Sequence, residues 1–374
     1  MKIEAVHLRR ITLPLVTPFR TSQHVETERT LVVVELVTDV GTGWAECSTD
    51  DEPVYWADYL EAEIDVLVRH FAPALLAGTG GPAAQAVTPA SVAEILQRFK
   101  GHRTAKSALE AAVLDAWTRA AGTSLADHLG GVRATVPTGV SVAISDSIPE
   151  LLDTVDGYLE AGYGRIKLKI EPGRDIAVAR AVREHIGPDV LLQVDANAAY
   201  SLGDAAHLAK LDDLDLLLIE QPLAWDDLHQ HAALARLIRT PICLDESITS
   251  ARSAAAAISV GACRIINIKP ARVGGYLEAR RIHDVAQAHG VPVWCGGMLE
   301  SGLGRAANLA LASLPGFTLP GDISATSRYY AQDITEPFEL DADGRMAVPT
   351  GPGVGVEPDG AVLDAVTTWR TTVT

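Results

Sequence analysis

The sequence lacks the features that would place it in several common classes. It has only four cysteines in 374 residues, and Cys47, Cys243, Cys263 and Cys295 are scattered without CxxC spacing. A disulfide framework or zinc site is therefore not expected, and free buried thiols are. No run of about 18 apolar residues occurs, which argues against a membrane span. The opening stretch, MKIEAVHLRRITLPL, alternates like a strand and lacks the apolar centre of a signal peptide, so a cytoplasmic location is expected. Basic residues are in deficit: 31 Lys plus Arg stand against 48 acids, a net charge of −17. That balance disfavours nucleic acid and anionic membranes as partners, yet it leaves room for a small anionic substrate in a locally positive pocket. Neither GxGxxG nor GxxxxGKS/T stands at the end of a predicted strand, which weakens the case for a doubly wound nucleotide-binding sheet.

What is present has a regular order. A content of 48% hydrophobic and 21% charged residues is that of a soluble globular protein, and 374 residues exceed what one core usually serves. Residues 1–132 read as an α+β unit: two strand-like runs, IEAVHLRRITLPL and RTLVVVELVTD, then a helix over 59–76. A Gly/Pro/Ala-rich loop at 77–89 and an apolar helix over 105–121 ending at Gly122 follow. Residues 133–330 alternate strand and helix. Strands are predicted at 136–144, 165–170, 190–195, 214–220, 241–245, 264–269 and 291–295, with a weaker one at 317–320. Helices are predicted at 148–161, 176–186, 204–211, 250–258 and 276–288. Eight strands at a step near 25 residues predict an α/β fold, a βα-barrel. The turn-rich tail, 331–374, is expected to fold back onto the N-terminal unit.

The most informative stretch is Arg165-Ile166-Lys167-Leu168-Lys169-Ile170, in which lysines alternate with large aliphatics. Three apolar segments follow, each ending in an acid: LLQVD at Asp195, LLLIE at Glu220 and PICLD at Asp245. A fourth, RIINIK, ends at Lys269, and the steps from Lys169 onward are 26, 25, 25 and 24 residues. In a βα-barrel the C-terminal strand ends open onto the active site. Alternation turns Ile166, Leu168 and Ile170 toward the helices and Lys167 and Lys169 into the barrel. A single acid at a strand end reads as a helix cap or a solvated loop residue. Three at a constant step, flanked by lysine strands, read as one site.

Three clustered carboxylates call for a cation, and an all-oxygen donor set suits Mg²⁺, with Mn²⁺ as a substitute, better than zinc. Strand order places Lys169 and Lys269 on opposite sides of a carboxylate substrate's α-carbon. Removing the α-proton then builds charge on that carboxylate, which a divalent cation stabilises. The base must be a neutral amine. Two ammoniums about 7 Å apart repel by roughly 2.4 kcal/mol at an effective dielectric of about 20, so Lys167 is expected to tune Lys169. Asn197, Gln221 and Glu246 are candidates to orient the acids, and loop hydrogen bonding serves equally for each. Ser141 and Met298 are candidate substrate contacts, with packing as the alternative. Asp322 reads as a turn acid, with closure of the pocket from the last strand as the alternative; the histidines read as surface or core, and the six tryptophans as core.

The KxK strand, Asp195-Ala196-Asn197, Glu220-Gln221-Pro222, Asp245-Glu246-Ser247 and Asn267-Ile268-Lys269-Pro270 together resemble the muconate-lactonising subgroup of the enolase superfamily. Sites of that superfamily use a lysine or histidine base with Mg²⁺. The stretch from RVGGYLEARRIHDVAQAHG through GGMLESGLGRA to LPGDISA resembles its branch of o-succinylbenzoate synthases and N-succinylamino acid racemases. The resemblance implies a capping domain formed by residues 1–132 and 331–374, whose loops at 18–26 and 48–55 shape the acyl pocket. The family's Ser-Phe-Gly is replaced here by Ser22-Gln23-His24, which alters pocket polarity and loop freedom. The implied reactions are dehydration to o-succinylbenzoate and racemisation of an N-acylamino acid. Dipeptide epimerisation and cycloisomerisation are the alternatives within the family, and a non-catalytic binding barrel is the alternative outside it. A closed homo-oligomer is the common assembly for such an enzyme.

Overall fold

The computed structural model describes residues 1–21, 24–78 and 86–374. Ser22 and Gln23, and most of the predicted loop at 77–89, lie outside the described residues. Strands β1 (Ile3–Arg20), β2 (Val25–Thr38) and β3 (Gly41–Cys47) form an antiparallel meander. Alternation along them buries Val6 and Leu8 on the face where the helix Arg103–Ala121 packs, and past a register shift between Arg10 and Ile11 it buries Ile11 and Leu13 in a second cluster with Leu303 and Tyr330. The approach is close at Gly43, where a Cβ would lie 2.1 Å from the Ala112 carbonyl oxygen. Asp115 of this helix accepts hydrogen bonds from the backbone N–H of Trp44 (2.8 Å) and of Val354 (2.7 Å). One buried carboxylate thus ties the meander, the helix and the tail together.

The βα-repeat begins with β4 (Thr135–Pro137) and β5 (Val140–Val142). It continues through β6 (Arg165–Lys169), β7 (Leu191–Asp195), β8 (Ile219–Glu220), β9 (Ile242–Leu244), β10 (Ile265–Ile268) and β11 (Val293–Cys295). Strands β5 to β11 form one parallel sheet of seven in chain order. The weak strand at 317–320 appears as two bridges, Val293 with Phe317 and Thr138 with Gly321, which join the two edges of the curled sheet. The Asp322 backbone N–H then donates to the Cys295 carbonyl at 2.9 Å.

Two predicted strands differ. The run at 136–144 is divided, because β4 turns away to pair antiparallel with β12 (Arg345–Ala347) and only β5 enters the barrel. Pro137 has no N–H with which to continue a ladder. The run at 214–220 is reduced to Ile219–Glu220, since Asp215 takes a left-handed φ of 47°. The helices Ile176–Ile186 and Tyr276–Ala288 match their predicted ranges, whereas 204–211 forms short helical turns. The four cysteines are free and buried. Finally, β13 (Thr367–Val373) lies antiparallel to β1, making the N-terminal sheet four-stranded. No helix among the described residues is long and apolar enough to cross a membrane.

Candidate active site

Parallel pairing brings the strand ends to one level, with Lys169 opposite Asp195 and Asp195 opposite Glu220. Ile166 and Leu168 pack in the apolar layer under the helices, while Lys167 is buried among carboxylates. Its Nζ lies 3.0 Å from Asp195, 2.7 Å from Glu220 and 2.9 Å from Asp322. Burial alone would lower the pKa of this ammonium, but Asp195, Asp322 and Glu220 more than offset it and hold it well above the usual lysine value. Lys169 Nζ donates to Asp195 Oδ2 and Asn197 Oδ1, both at 2.7 Å. Asp195 therefore stands between the two lysines, and the direct repulsion expected from sequence is bridged by a carboxylate.

On the other side, Lys269 Nζ donates to Asp245 Oδ2 at 3.0 Å and to the Tyr55 hydroxyl at 2.9 Å. Arg272 also binds Asp245 and donates to the carbonyls of Ile248 (3.0 Å) and Asn267 (2.8 Å). Burial opposes the charge on Lys269, yet Asp245 and Tyr55 raise its pKa overall. Lys169, Lys269, Asn197, Met298, Tyr55, Phe19 and His24 line one cavity of about 70 Å³.

The acids respond unequally. Burial tends to raise Asp195, but Lys167 and Lys169 hold it well below the ordinary carboxylate range. Glu220 is pushed up to about 7, first by burial and then by Asp195, with Lys167 only partly compensating. Its Oε1 accepts from Asn267 Nδ2 at 2.8 Å, whereas its buried Oε2 has no aligned hydrogen-bond donor. The Lys167 ammonium 2.7 Å away is a charge contact without hydrogen-bond alignment. Asp195, Glu220 and Asp245 offer an all-oxygen donor set, and the unsatisfied buried oxygen of Glu220 fits a hard divalent cation. They are not gathered around a point: Lys167 lies between Asp195 and Glu220, and Asp245 is turned toward Lys269 and Arg272.

Among the described residues, ligating atoms come within 4.8 Å of one another in two other groups, His24–Glu26–Asp50 and Asp58–Glu63–His102. Both are compensated internally. Arg29 pairs with Asp50 at 2.7 Å and Glu26 at 3.3 Å, while Asp58 and Glu63 accept the backbone N–H groups of Thr104 (3.0 Å) and Ala105 (2.7 Å) at a helix start.

The orienting candidates divide by partner. Asn197, at a left-handed φ of 42°, links Lys169 to Glu246 (Nδ2 to Oε1, 3.1 Å). Glu246 is raised to about 8 by burial and by the negative charge of Asp245 and Asp195. The Gln221 Oε1 accepts from the backbone N–H of Asp245 (3.1 Å) and Ser247 (3.2 Å), so it shapes the loop that carries Asp245. Met298 lines the cavity; Ser141 instead lies 3.4 Å from Asp322.

Several expectations need correction. Asp322 is no turn acid: it is buried and pairs with Arg165 at 2.7 Å as well as with Lys167. His24 lines the cavity, and Trp225 is 52% exposed and so not core. Tyr55 and Arg272 were not singled out. Arg272 had a usable signal, since it follows Lys269 by three residues, the helical spacing that returns a side chain to the same face. Tyr55 ends the 48–55 loop that the family resemblance implies at the pocket, but no local pattern marks the residue itself, because it arrives from the other unit.

Comparisons with known proteins find relatives along nearly the whole chain. Residues 3–130 match the N-terminal domain of the mandelate racemase / muconate lactonizing enzyme family, and residues 150–362 match the enolase C-terminal domain-like family. An N-succinylamino acid racemase of Amycolatopsis sp is 61% identical, with 99% of each chain covered. The o-succinylbenzoate synthase of Bacillus subtilis (strain 168) is 43% identical, covering 96% of this chain and 94% of its own. The crystal structure of an enolase-superfamily member from Listeria innocua Clip11262 superposes with a TM-score of 0.94 at 38% identity, covering 100% of this chain and 99% of that one.

Proposed function

The chain belongs to the mandelate racemase / muconate lactonizing enzyme family of the enolase superfamily, and from that premise we propose that it abstracts an α-proton from an N-acylamino acid and racemises it. The observation that carries this reading is the placement of Lys169 and Lys269 on the wall of one cavity, on strands separated by the three that bear the acids. Racemisation needs two bases in opposite protonation states, one to take the proton from the first face and one to return it on the second. Residues 1–132 and 331–374 act as the cap over the 133–330 barrel. His24, Phe19 and Met298 supply the wall of the acyl pocket.

Asp195, Glu220 and Asp245 are the residues to hold Mg²⁺, which supplies electrostatic stabilisation for the charge that proton loss places on the substrate carboxylate. In the structure the lysine ammoniums serve as counter-charges for these acids, and a lysine so engaged is no base. Lys169 removes the proton once its amine is neutral, Asn197 and Asp195 fix its direction, and Lys167 keeps a positive charge beside the acids.

The second reading is syn-dehydration of 2-succinyl-6-hydroxy-2,4-cyclohexadiene-1-carboxylate to o-succinylbenzoate. It uses the same proton abstraction by Lys169, with Lys269 staying cationic, and the synthase relatives favour it. Dipeptide epimerisation is less well supported, because an ammonium-binding acid at the last strand must be free and Asp322 is already neutralised by Arg165 and Lys167.

The test is incubation in D₂O with Mg²⁺ and a panel of N-succinyl and N-acetyl amino acids, alongside the dehydration assay. Deuterium entering Cα with inversion supports the racemase. Dehydration without exchange or inversion would replace it with the synthase, and silence in both assays would favour a non-catalytic barrel.

A further inference from the structure

Tyr55 belongs to the loop between β3 and the helix Leu60–Val66, on the opposite unit from the barrel lysines. Its hydroxyl donates to Asp245 Oδ2 at 2.9 Å and accepts from Lys269 Nζ at 2.9 Å and Arg272 Nη1 at 3.2 Å. A phenol has one proton and two lone pairs, so its capacity is filled. The ring also faces the ammonium, with Nζ 4.4 Å from the centroid. The neighbouring Trp56 packs edge-on against Trp225, centroids 5.2 Å apart at 71°. Trp225 lies five residues past Glu220, in the loop between β8 and the helix Leu228–Leu234. Among the described residues it is the one aromatic in the set of exposed large apolar side chains. Lys169 is held differently, by Asp195 and Asn197, both from the barrel itself.

We propose that Tyr55 is a positioning residue for Lys269, kept in place by a Trp56–Trp225 clasp between the cap loop and the barrel. Resting on the racemase reading, this makes the two bases unequal: Lys169 is preorganised by its own barrel, whereas Lys269 is completed only when the cap loop is seated. An edge-on aromatic pair beyond its burial is a modest interaction, suited to a loop that must release for substrate to enter.

The experiment measures α-proton exchange from each enantiomer of an N-succinylamino acid in D₂O with Mg²⁺. Wild type, Lys269→Ala, Tyr55→Phe and Trp225→Ala are compared, with amide hydrogen exchange of residues 51–57 on the metal-free proteins. Lys269→Ala identifies the enantiomer whose proton Lys269 handles. Tyr55→Phe should slow exchange of that enantiomer by about tenfold, the effect of one charge-assisted hydrogen bond, and leave the other within about twofold. Trp225→Ala should slow the same enantiomer and speed amide exchange across 51–57, with an unfolding midpoint close to wild type, as for a surface change. Equal loss on both enantiomers, or no loss, in Tyr55→Phe would overturn the positioning role. Unchanged amide exchange or unchanged Lys269-side exchange in Trp225→Ala would overturn the clasp. Failure of wild type to exchange either enantiomer would instead strike the racemase reading.

Discussion

Lys167 and Asp322 meet at 2.9 Å inside the barrel, one from β6 and the other from the segment that joins the sheet's two edges. The same carboxylate holds Arg165 at 2.7 Å, and Arg165 has no solvent exposure. The pairing therefore links the closure of the barrel to the placement of a site lysine.

Replacing Asp322 by Ala leaves the buried Arg165 without a carboxylate partner and takes one of three from Lys167. Breaking a buried pair from one side costs about 3–5 kcal/mol, because the remaining charge is uncompensated. The urea midpoint should fall accordingly with the m-value unchanged, and Asp322→Asn should lose less.

Cation binding has its own signature in stability. If Asp195, Glu220 and Asp245 hold Mg²⁺, a concentration of about 100 times Kd should stabilise the protein by about 2.7 kcal/mol over protein in EDTA. Glu220→Gln removes a ligand charge and should abolish most of that difference in thermal melts. An equal Mg²⁺ shift in wild type and Glu220→Gln would place the cation elsewhere.

Gly296 follows β11 directly, and a Cβ there would lie 2.4 Å from Asn267 Oδ1 and 2.7 Å from Lys269 Cε. Asn267 is fully buried and donates to Glu220, so it has little room to yield. Gly296→Ala should reduce turnover by about 100-fold through displacement of Lys269, since misplacing a reacting group by about 1 Å has that effect. Far-ultraviolet circular dichroism should stay native.

Glu110 makes stability depend on pH. It is buried at the start of the helix Tyr276–Ala288, where its Oε2 accepts the Leu277 N–H at 3.3 Å, and burial pushes its pKa up to about 8 against this contact. Between the ordinary value of 4.5 and about 8 the folded protein keeps a proton that the unfolded chain has released. The contribution is complete below the lower value and lost as pH rises through the upper one, a slope on the order of a few kcal/mol over the interval. Glu110→Gln should flatten the fall in unfolding free energy between pH 5.5 and 8.5 in denaturant titrations.

The barrel was legible because its chemistry repeats at the period of its structure. Alternation in RIKLKI and a constant step to Asp195, Glu220, Asp245 and Lys269 carry both the fold and the candidate site within single segments. Gly122, expected to end a helix, does so at a left-handed φ of 67°. Asp322 was misread because its segment pairs only through isolated bridges, so no strand pattern marks its side chain as inward. The Tyr55 contact joins residues 214 positions apart, a distance over which no local periodicity carries information. Trp225 was assigned to the core by residue type, which its loop position overrides.

Strand β13 has a consequence for how the molecule is made. The sheet that begins with Ile3 gains its fourth strand only from residues 367–373, with the entire barrel sequence lying between. During synthesis the first three strands emerge early and must wait with one flank of β1 bare, since domains otherwise fold in order from the N-terminus. The barrel in effect grows as an insertion within an unfinished sheet, and β13, made after it, seals that sheet.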